Sequence, residues 1–165
     1  MNRDIEFRGK DIYTNKWVYG SLLIKESVYY ISKTGMPVGW IDGEIQTSVE
    51  WFQVFSESVG QYIGLKDSKG NKIFEGDIIR YEDKQSYDNA VGSLEDDPED
   101  RIPHDYRIGY IKWLGDEGYP AFDIEPHINN LECNVLSYLI ETEDWVLEFI
   151  GNVTDNPELL KGEKC

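Results

Sequence analysis

Short apolar runs separated by turn-forming residues fill the first half of the chain. No helical period of 3.6 residues is sustained there, so the pattern predicts strands. The run Trp17–Ile24 is apolar on both faces apart from Gly20 and Ser21, and a short connection joins it to the next strand. The predicted strands of this half are Glu6–Arg8, Trp17–Ile24, Val28–Ser32, Val38–Ile41 and Glu50–Phe55.

The clearest hairpin lies in the middle of the chain. Val59–Leu65 predicts one strand and Lys72–Phe74 the next, with residues 66–71 as the turn. Gly70 suits the positive φ that such a turn needs at its end. Further strands are predicted at Ile78–Tyr81, Arg107–Trp113, Ala121–Ile124 and Trp145–Ile150.

A helical period occurs in one region near the C-terminal end. Six apolar residues fall on one face at helical spacing, and Asn129 with Glu132 resembles a capping box. These apolar residues are Ile128, Leu131, Val135, Leu136, Leu139 and Ile140. The pattern predicts a helix over about residues 129–141. Pro157, which follows the cap residue Asn156, predicts a final short helical turn.

The pattern as a whole predicts a mainly β protein with two parts. Residues 1–57 form the predicted N-terminal β module, and residues 58–165 a small barrel with one inserted helix. Residues 82–105 lack apolar periodicity and carry nine acids against Lys84 and Arg101, so we interpret them as a long exposed acidic loop.

The negative charge of the chain disfavours negatively charged binding partners. The chain has 32 acidic and 16 basic residues, a formal net charge of −16. Such a charge repels nucleic-acid phosphates and anionic membranes. Cys133 and Cys165 are too few for a disulfide framework, and neither a signal peptide nor an apolar run of roughly 20 residues is visible. The expected location is the cytoplasm, with no membrane partner.

Three stretches resemble a known family. Ile5–Lys10 precedes Trp17–Gly20; Val59–Asp67 continues through Gly70 to Phe74–Ile79; and Ile150–Val153 precedes Asp155–Leu160. Their order and spacing resemble the YopX family of bacteriophage and prophage proteins. The resemblance implies an SH3-type barrel in the C-terminal part, self-association into homo-oligomers and a host bacterial cytoplasm. The family has no assigned biochemical function, so it supplies no catalytic residues.

Candidate chemistry is sparse. His104 and His127 have no second ligand at three or four residues' spacing, and Cys133 lies six residues past His127, which is not a zinc pattern. Neither a Gly-x-Ser-x-Gly elbow nor a phosphate-binding or dinucleotide-binding glycine motif occurs. The sequence therefore predicts a protein that is not an enzyme and that takes no metal or cofactor.

Two binding functions remain as alternatives. A small barrel can bind nucleic acid, with bases stacking on aromatic side chains and basic residues holding phosphates. The candidates are Tyr62, Tyr81, Tyr110 and Trp113, with Lys66, Lys69 and Lys72. Neighbouring acids oppose that reading, and core packing is the favoured role of the aromatic residues. The opposite alternative is an acidic DNA mimic that inhibits a host DNA-binding protein.

The favoured prediction is a phage or prophage accessory protein that acts through protein–protein contacts. The partner would be a second copy of the chain, or a host or phage protein. The candidate interaction surface comprises four acids of the acidic loop and two lysines of the hairpin turn. These residues are Asp96, Asp97, Glu99, Asp100, Lys66 and Lys69.

Overall fold

The structure, a computed structural model, describes residues 4–33, 37–41, 44–47, 50–82, 106–115, 121–125, 136 and 147–161. Within these residues the chain is mainly β, as predicted, with strands in antiparallel sheets. The strands are β1 Phe7–Lys10, β2 Trp17–Lys25, β3 Val28–Lys33, β4 Pro37–Ile41, β5 Glu44–Thr47, β6 Glu50–Val54, β7 Gly60–Lys66, β8 Lys72–Phe74, β9 Asp77–Glu82, β10 Tyr106–Trp113, β11 Phe122–Glu125 and β12 Glu148–Asn152.

The residues group into two compact units. Unit 1 comprises Met1–Leu65 and Lys72–Gly76, and unit 2 comprises Lys66–Asn71 and Asp77–Cys165. The β7–β8 hairpin is thus divided: its strands belong to unit 1, apart from Lys66, and its turn to unit 2. The predicted division after residue 57 stays a prediction, because a compact unit is not by itself an independently folding domain.

Unit 1 is built on a sheet with the strand order β6-β3-β2-β1-β7-β8, and β4 pairs with β5 in a separate hairpin. Beyond β1 the chain meets the outer edge of β6, where Phe55 N–H donates to Lys10 O (3.0 Å) and Ile12 N–H donates to Gln53 O (3.0 Å). Strands β1, β2, β3 and β6 therefore close into a ring, which removes the exposed edge of β6.

The inside of this ring is the core of unit 1. Val18, Ile31 and Val54 are buried there, packed against Phe7, Leu22, Tyr29, Phe52 and Val59. Gly9 faces the same interior, where a Cβ would lie 2.8 Å from Val54 Cγ2. A side chain at residue 9 would overpack the interior, which explains glycine there.

The outer side of the sheet is covered at one end. Arg8 is buried beneath strands β7 and β8, with its guanidinium carbon 4.8 Å from the Trp17 ring centre and 5.2 Å from that of Phe74. Its Nη2 donates to Glu75 O at 3.0 Å. Phe74 also packs against Tyr19 and Tyr62, at centroid distances of 5.6 and 5.7 Å.

Unit 2 contains a four-stranded sheet of order β11-β10-β9-β12. Ile79, Ile111 and Ile124 are fully buried in it. The buried carboxylate of Asp123 accepts hydrogen bonds from Ile124 N–H (2.8 Å) and Leu136 N–H (3.0 Å). Asp123 thereby fixes a helical residue, Leu136, to the edge strand β11.

Most predicted elements agree with the structure. The final helical turn is confirmed as a 3-10 helix at Pro157–Leu160, and Gly70 has a φ of 86°. The sequence reading missed β5, and it began the closing strand at Trp145 although β12 begins at Glu148. Glu82, the first residue of the predicted acidic loop, still belongs to β9.

Three predictions stay open. Residues 83–105 of the predicted acidic loop lie outside the described residues. So does the predicted helix over 129–141, except for Leu136, which is helical and buried. The SH3-type character of the C-terminal part also remains a prediction, since an antiparallel four-stranded sheet occurs in many β folds.

Candidate functional site

The turn of the β7–β8 hairpin, one part of the predicted interaction surface, is organised around the buried carboxylate of Asp67. Oδ1 accepts hydrogen bonds from Lys69 N–H (2.9 Å) and Asn71 N–H (2.7 Å), and Oδ2 accepts one from Asn71 Nδ2 (2.9 Å). Burial alone would raise the pKa of Asp67, but the hydrogen bonds from Asn71 and Lys69 outweigh it and leave that pKa below the usual 3.8.

The two lysines of the predicted surface are both exposed. Lys69 Nζ lies 2.9 Å from Glu148 Oε1 on β12, and the same carboxylate pairs with the Arg80 guanidinium. Hydrogen bonds from Lys69 and then Arg80 lower the pKa of Glu148. The ammonium of Lys69 is therefore engaged in holding the turn. The four acids of the predicted surface, Asp96, Asp97, Glu99 and Asp100, lie outside the described residues.

A second ion cluster ties the start of the chain to β8. Lys72 Nζ lies 2.8 Å from Asp4 Oδ2 and 2.7 Å from Glu6 Oε2, and 4.9 Å from the centre of the Tyr62 ring. The hydrogen bonds that Lys72 donates to Asp4 and then Glu6 raise the pKa of Lys72. Lys72 thus acts as a tether for residues 4–6, and its ammonium is engaged within unit 1.

The other polar residues of the recognisable motifs also serve the fold. Asn152 Oδ1 accepts hydrogen bonds from Thr154 N–H (3.0 Å) and Asp155 N–H (2.8 Å), which shapes the turn after β12. At Gly151, a Cβ would lie 2.7 Å from Asn156 Oδ1. The residues that make the family recognisable therefore build turns and close contacts.

The structure buries two of the aromatic residues proposed for base stacking. Tyr62 is 6% exposed in unit 1 and Tyr81 is 2% exposed in unit 2, so both pack in the interior as the favoured reading predicted. Trp113 is 41% exposed and packs edge-on against Phe122 at 5.0 Å between ring centroids. Neither buried tyrosine presents a ring face on which a base could stack.

A different surface emerges on the uncovered end of the unit 1 sheet. The register places Leu23 opposite Tyr30, and Ser21 opposite Ser32, which in turn faces Trp51. Directly opposed residues of antiparallel strands share a face. Tyr19, Leu23 and Trp51 expose 44, 43 and 47% of their surface. We call this surface, formed by Tyr19, Leu23, Tyr30 and Trp51, the outer face.

The outer face carries no acidic residue, although the chain as a whole is strongly acidic. In strands β1, β2, β3 and β6, every residue on this side is apolar, neutral or basic, as the pairing registers show. Unit 1 as a whole has nine acidic and seven basic residues, whereas unit 2 has 23 acidic and nine basic ones. The negative charge is therefore concentrated in unit 2.

The sequence carried one signal for this surface. The run Trp17–Ile24 is apolar on both faces, yet one face of a strand in an antiparallel sheet is commonly solvated. Apolar residues on both faces indicate a second surface to be covered. The contributions of Tyr30 and Trp51 could not be found this way, because they depend on strand pairing over long sequence separation.

The fold and its acid-free face define a small two-unit β protein whose recognisable residues build the framework. The sequence matches the YopX protein family over residues 6–161, and the chain belongs to that family.

A solved structure has a similar fold. The crystal structure of protein EF1440 from Enterococcus faecalis is 23% identical in sequence, with a TM-score of 0.51. The match covers 96% of this chain and 99% of that one. No curated protein matches the sequence significantly.

Two other features are absent from the part of the chain that the structure describes. There, no cluster of three or more His, Cys, Asp or Glu residues is arranged to hold a metal ion. None of the helical segments in that part of the chain has the length and apolarity needed to cross a membrane. His104, His127 and Cys133 lie outside the described residues.

Proposed function

We propose that this chain is a non-enzymatic interaction module that associates with a second copy of itself through the outer face of unit 1. The observation that carries the proposal is the group of half-exposed apolar residues on an acid-free face. Contiguous exposed apolar surface on a β sheet marks an interaction site. The family resemblance supports the wider role of a phage or prophage accessory protein in a bacterial cytoplasm.

Charge supports self-association through unit 1. Two chains of net charge −16 repel one another, and this repulsion is screened over about 8 Å at physiological ionic strength. Unit 1 has nearly equal numbers of acidic and basic residues, and its outer face has no carboxylate. A contact through this face therefore brings no two carboxylates together. Burial of a large apolar side chain contributes about 1.5–3 kcal/mol when it is complete, so the half-exposed residues here contribute a part of that each.

The absence of an enzymatic role is part of the same proposal. The buried or hydrogen-bonded polar residues of the recognisable motifs, such as Asp67 and Asn152, hold turns in place. Residues whose contacts hold the framework give no reason to assign a reaction. The proposal therefore rests on the surface.

The test is sedimentation velocity over a range of protein concentrations. We expect concentration-dependent association of the native chain and at least about tenfold weaker association of Leu23→Ala, since each copy then loses an apolar side chain from the contact. The matched control is Tyr13→Ala, which removes an aromatic residue that is 81% exposed and lies outside the outer face.

A native chain that remains monomeric at all accessible concentrations would overturn the proposal. So would equal association of the Leu23→Ala and Tyr13→Ala variants. Circular dichroism and thermal unfolding of each variant verify that the ring of strands still forms.

A further inference from the structure

Within the residues that the structure describes, the distal half of β2 has one edge with no strand beside it. On one side β2 pairs with β3 as far as Lys25, opposite Val28. On the other side β1 pairs with β2 only from Trp17 to Gly20. Among the described residues, the hydrogen bonds leave the side of Leu22–Lys25 opposite β3 unpaired. We call this segment the open edge.

The turn that ends the hairpin determines which backbone groups face the open edge. Glu26 and Ser27 have φ values of 51° and 64°, the pattern of a two-residue type I′ turn. In such a turn the flanking residues Lys25 and Val28 form a pair joined by two main-chain hydrogen bonds. Along the hairpin from there, hydrogen-bonded pairs alternate with pairs that are not hydrogen-bonded. The N–H and C=O groups of Leu22 and Ile24 therefore point away from β3.

The ion cluster at Lys72 explains why β1 does not cover this edge. Continued in register, residues before Phe7 would run alongside Leu22. Instead Asp4 and Glu6 are held by Lys72, and Glu6 O accepts the Tyr62 N–H at 2.8 Å. The start of the chain is thereby drawn towards β7 and β8, away from β2.

We infer that the open edge pairs antiparallel with the open edge of a second copy, about a two-fold axis at Leu23, which joins the two sheets into one. This inference rests on the proposed self-association and places the contact at the rim of the outer face, at Leu23. An exposed edge is a template for a further strand, and a two-fold axis makes such an edge complementary to itself.

This pairing satisfies the main-chain groups of the open edge and also brings apolar side chains together. Leu22 of each copy faces Ile24 of the other, which gives four main-chain hydrogen bonds. Leu23 meets Leu23 of the second copy on the outer face, in a non-hydrogen-bonded pair where side chains approach most closely. Ile24, which is 52% exposed, gains cover on the opposite side of the sheet.

Electrostatics permits this arrangement. Strand β2 contains no acid, and in the antiparallel register Lys25 lies opposite Ser21 of the second copy. No like charges are opposed along the paired segment. A contact at the open edge is also continuous with the outer face, because Leu23 belongs to both.

The first test compares amide hydrogen exchange at low and high protein concentration. Leu23 N–H is bonded to β3 within one chain, so we expect it to be protected at both concentrations. Leu22 and Ile24 N–H should exchange rapidly in the dilute protein and become protected as it associates. Association without protection of these two amides would overturn the inference and leave the proposed self-association standing.

The second test removes one donor from the open edge. Ile24→Pro deletes only an N–H that points away from β3, and proline is tolerated at such edge positions. Ile24→Ala is the matched control, because it shortens the side chain and keeps the donor. Each dimer loses two hydrogen bonds, so we expect Ile24→Pro to associate at least about tenfold more weakly than Ile24→Ala.

Equal association of the two variants would overturn the edge pairing. A native chain that is monomeric throughout would overturn both this inference and the proposed function. If Ile24→Pro fails to fold, Leu23→Cys in a chain whose native cysteines are replaced by serine decides the matter. A disulfide should form between two copies at residue 23, and its absence in an associated protein would contradict the register.

Discussion

Asp67 shows how a single carboxylate can account for a recognisable motif. Its three hydrogen bonds fix the direction of the turn between β7 and β8, and Ser68 N–H then donates to Leu147 O at 2.9 Å. A lysine-rich turn in an acidic protein suggests a binding site when it is read as sequence. The hydrogen bonds show that its first role is to position a loop within unit 2.

We expect Asp67→Ala to lower the free energy of unfolding by roughly 2 kcal/mol, because three donors lose a charged acceptor. Asp67→Asn should cost less, since it keeps an oxygen for the backbone donors. Urea denaturation measures both values. Asp4→Ala is the control, because Asp4 is an exposed carboxylate and its ion-pair partner Lys72 keeps Glu6. Equal losses at residues 4 and 67 would contradict the assigned role.

The pH dependence follows from the lowered pKa of Asp67. A carboxylate whose pKa is lower in the folded state contributes its full stability above the unfolded-state value, near 3.8. That contribution is lost as the pH falls through the folded-state pKa. The native chain should therefore lose more stability than Asp67→Ala between about pH 5 and pH 3. Parallel stability profiles of the two proteins would refute this.

At the scale of elements, the β2–β3 turn has residues that its backbone conformation does not favour. Type I′ turns favour Asn and Gly, yet this one has Glu26 and Ser27 at positive φ. A left-handed conformation at such residues costs on the order of 1 kcal/mol each. The rest of the hairpin compensates through its pairing with β6 and β1.

Replacement of this turn by the preferred pair should therefore stabilise unit 1. We expect the double variant Glu26→Asn, Ser27→Gly to gain about 1 kcal/mol, seen as a higher midpoint of thermal unfolding. The order-reversed variant Glu26→Gly, Ser27→Asn removes the same side chains and serves as a comparison for turn chemistry. A lower midpoint for the Asn-Gly variant would show that Glu26 or Ser27 makes a stabilising contribution of its own.

Most strands were predictable because apolar runs bounded by turn residues are local signals. Lys72–Phe74 was placed at its observed limits, and the other predicted strands differ at their ends. Strand β5 was missed because Glu44–Thr47 has a single apolar residue, Ile45, in four positions. The division of the β7–β8 hairpin between two units could not be predicted, since it depends on contacts distant in sequence.

The candidate surface was harder to predict than the fold. Lys66 and Lys69 are both exposed, although Lys66 ends β7 and only Lys69 lies in the turn, and the ion pair between Lys69 and Glu148 spans 79 positions of sequence. The outer face is likewise assembled from three strands whose pairing no local pattern specifies. A surface of this kind can be identified only when the pairing register of the strands is known.

At the scale of the molecule, the uneven charge should make stability depend on salt. Unit 2 carries 23 acids against nine bases, so its charges repel one another at low ionic strength. Salt shortens the screening length from about 30 Å at 0.01 M to about 10 Å at 0.1 M. We expect the midpoint of thermal unfolding to rise over this range of sodium chloride.

A charge-reduced variant provides the control. Asp96→Asn, Asp97→Asn, Glu99→Gln and Asp100→Asn together remove four negative charges, and the rise with salt should become smaller. A midpoint that falls with added salt would mean that attractive pairs, such as Glu148 with Lys69 and Arg80, outweigh the repulsion. Differential scanning calorimetry of both proteins distinguishes these outcomes.

The division of the β7–β8 hairpin between two units limits how recombination can alter the gene. The chain leaves or enters unit 1 after residues 65, 71 and 76. A single recombination event within this gene therefore cannot exchange one intact unit for a foreign one. Because each unit is built from two separate stretches of the chain, the two units are expected to be inherited and to diverge together.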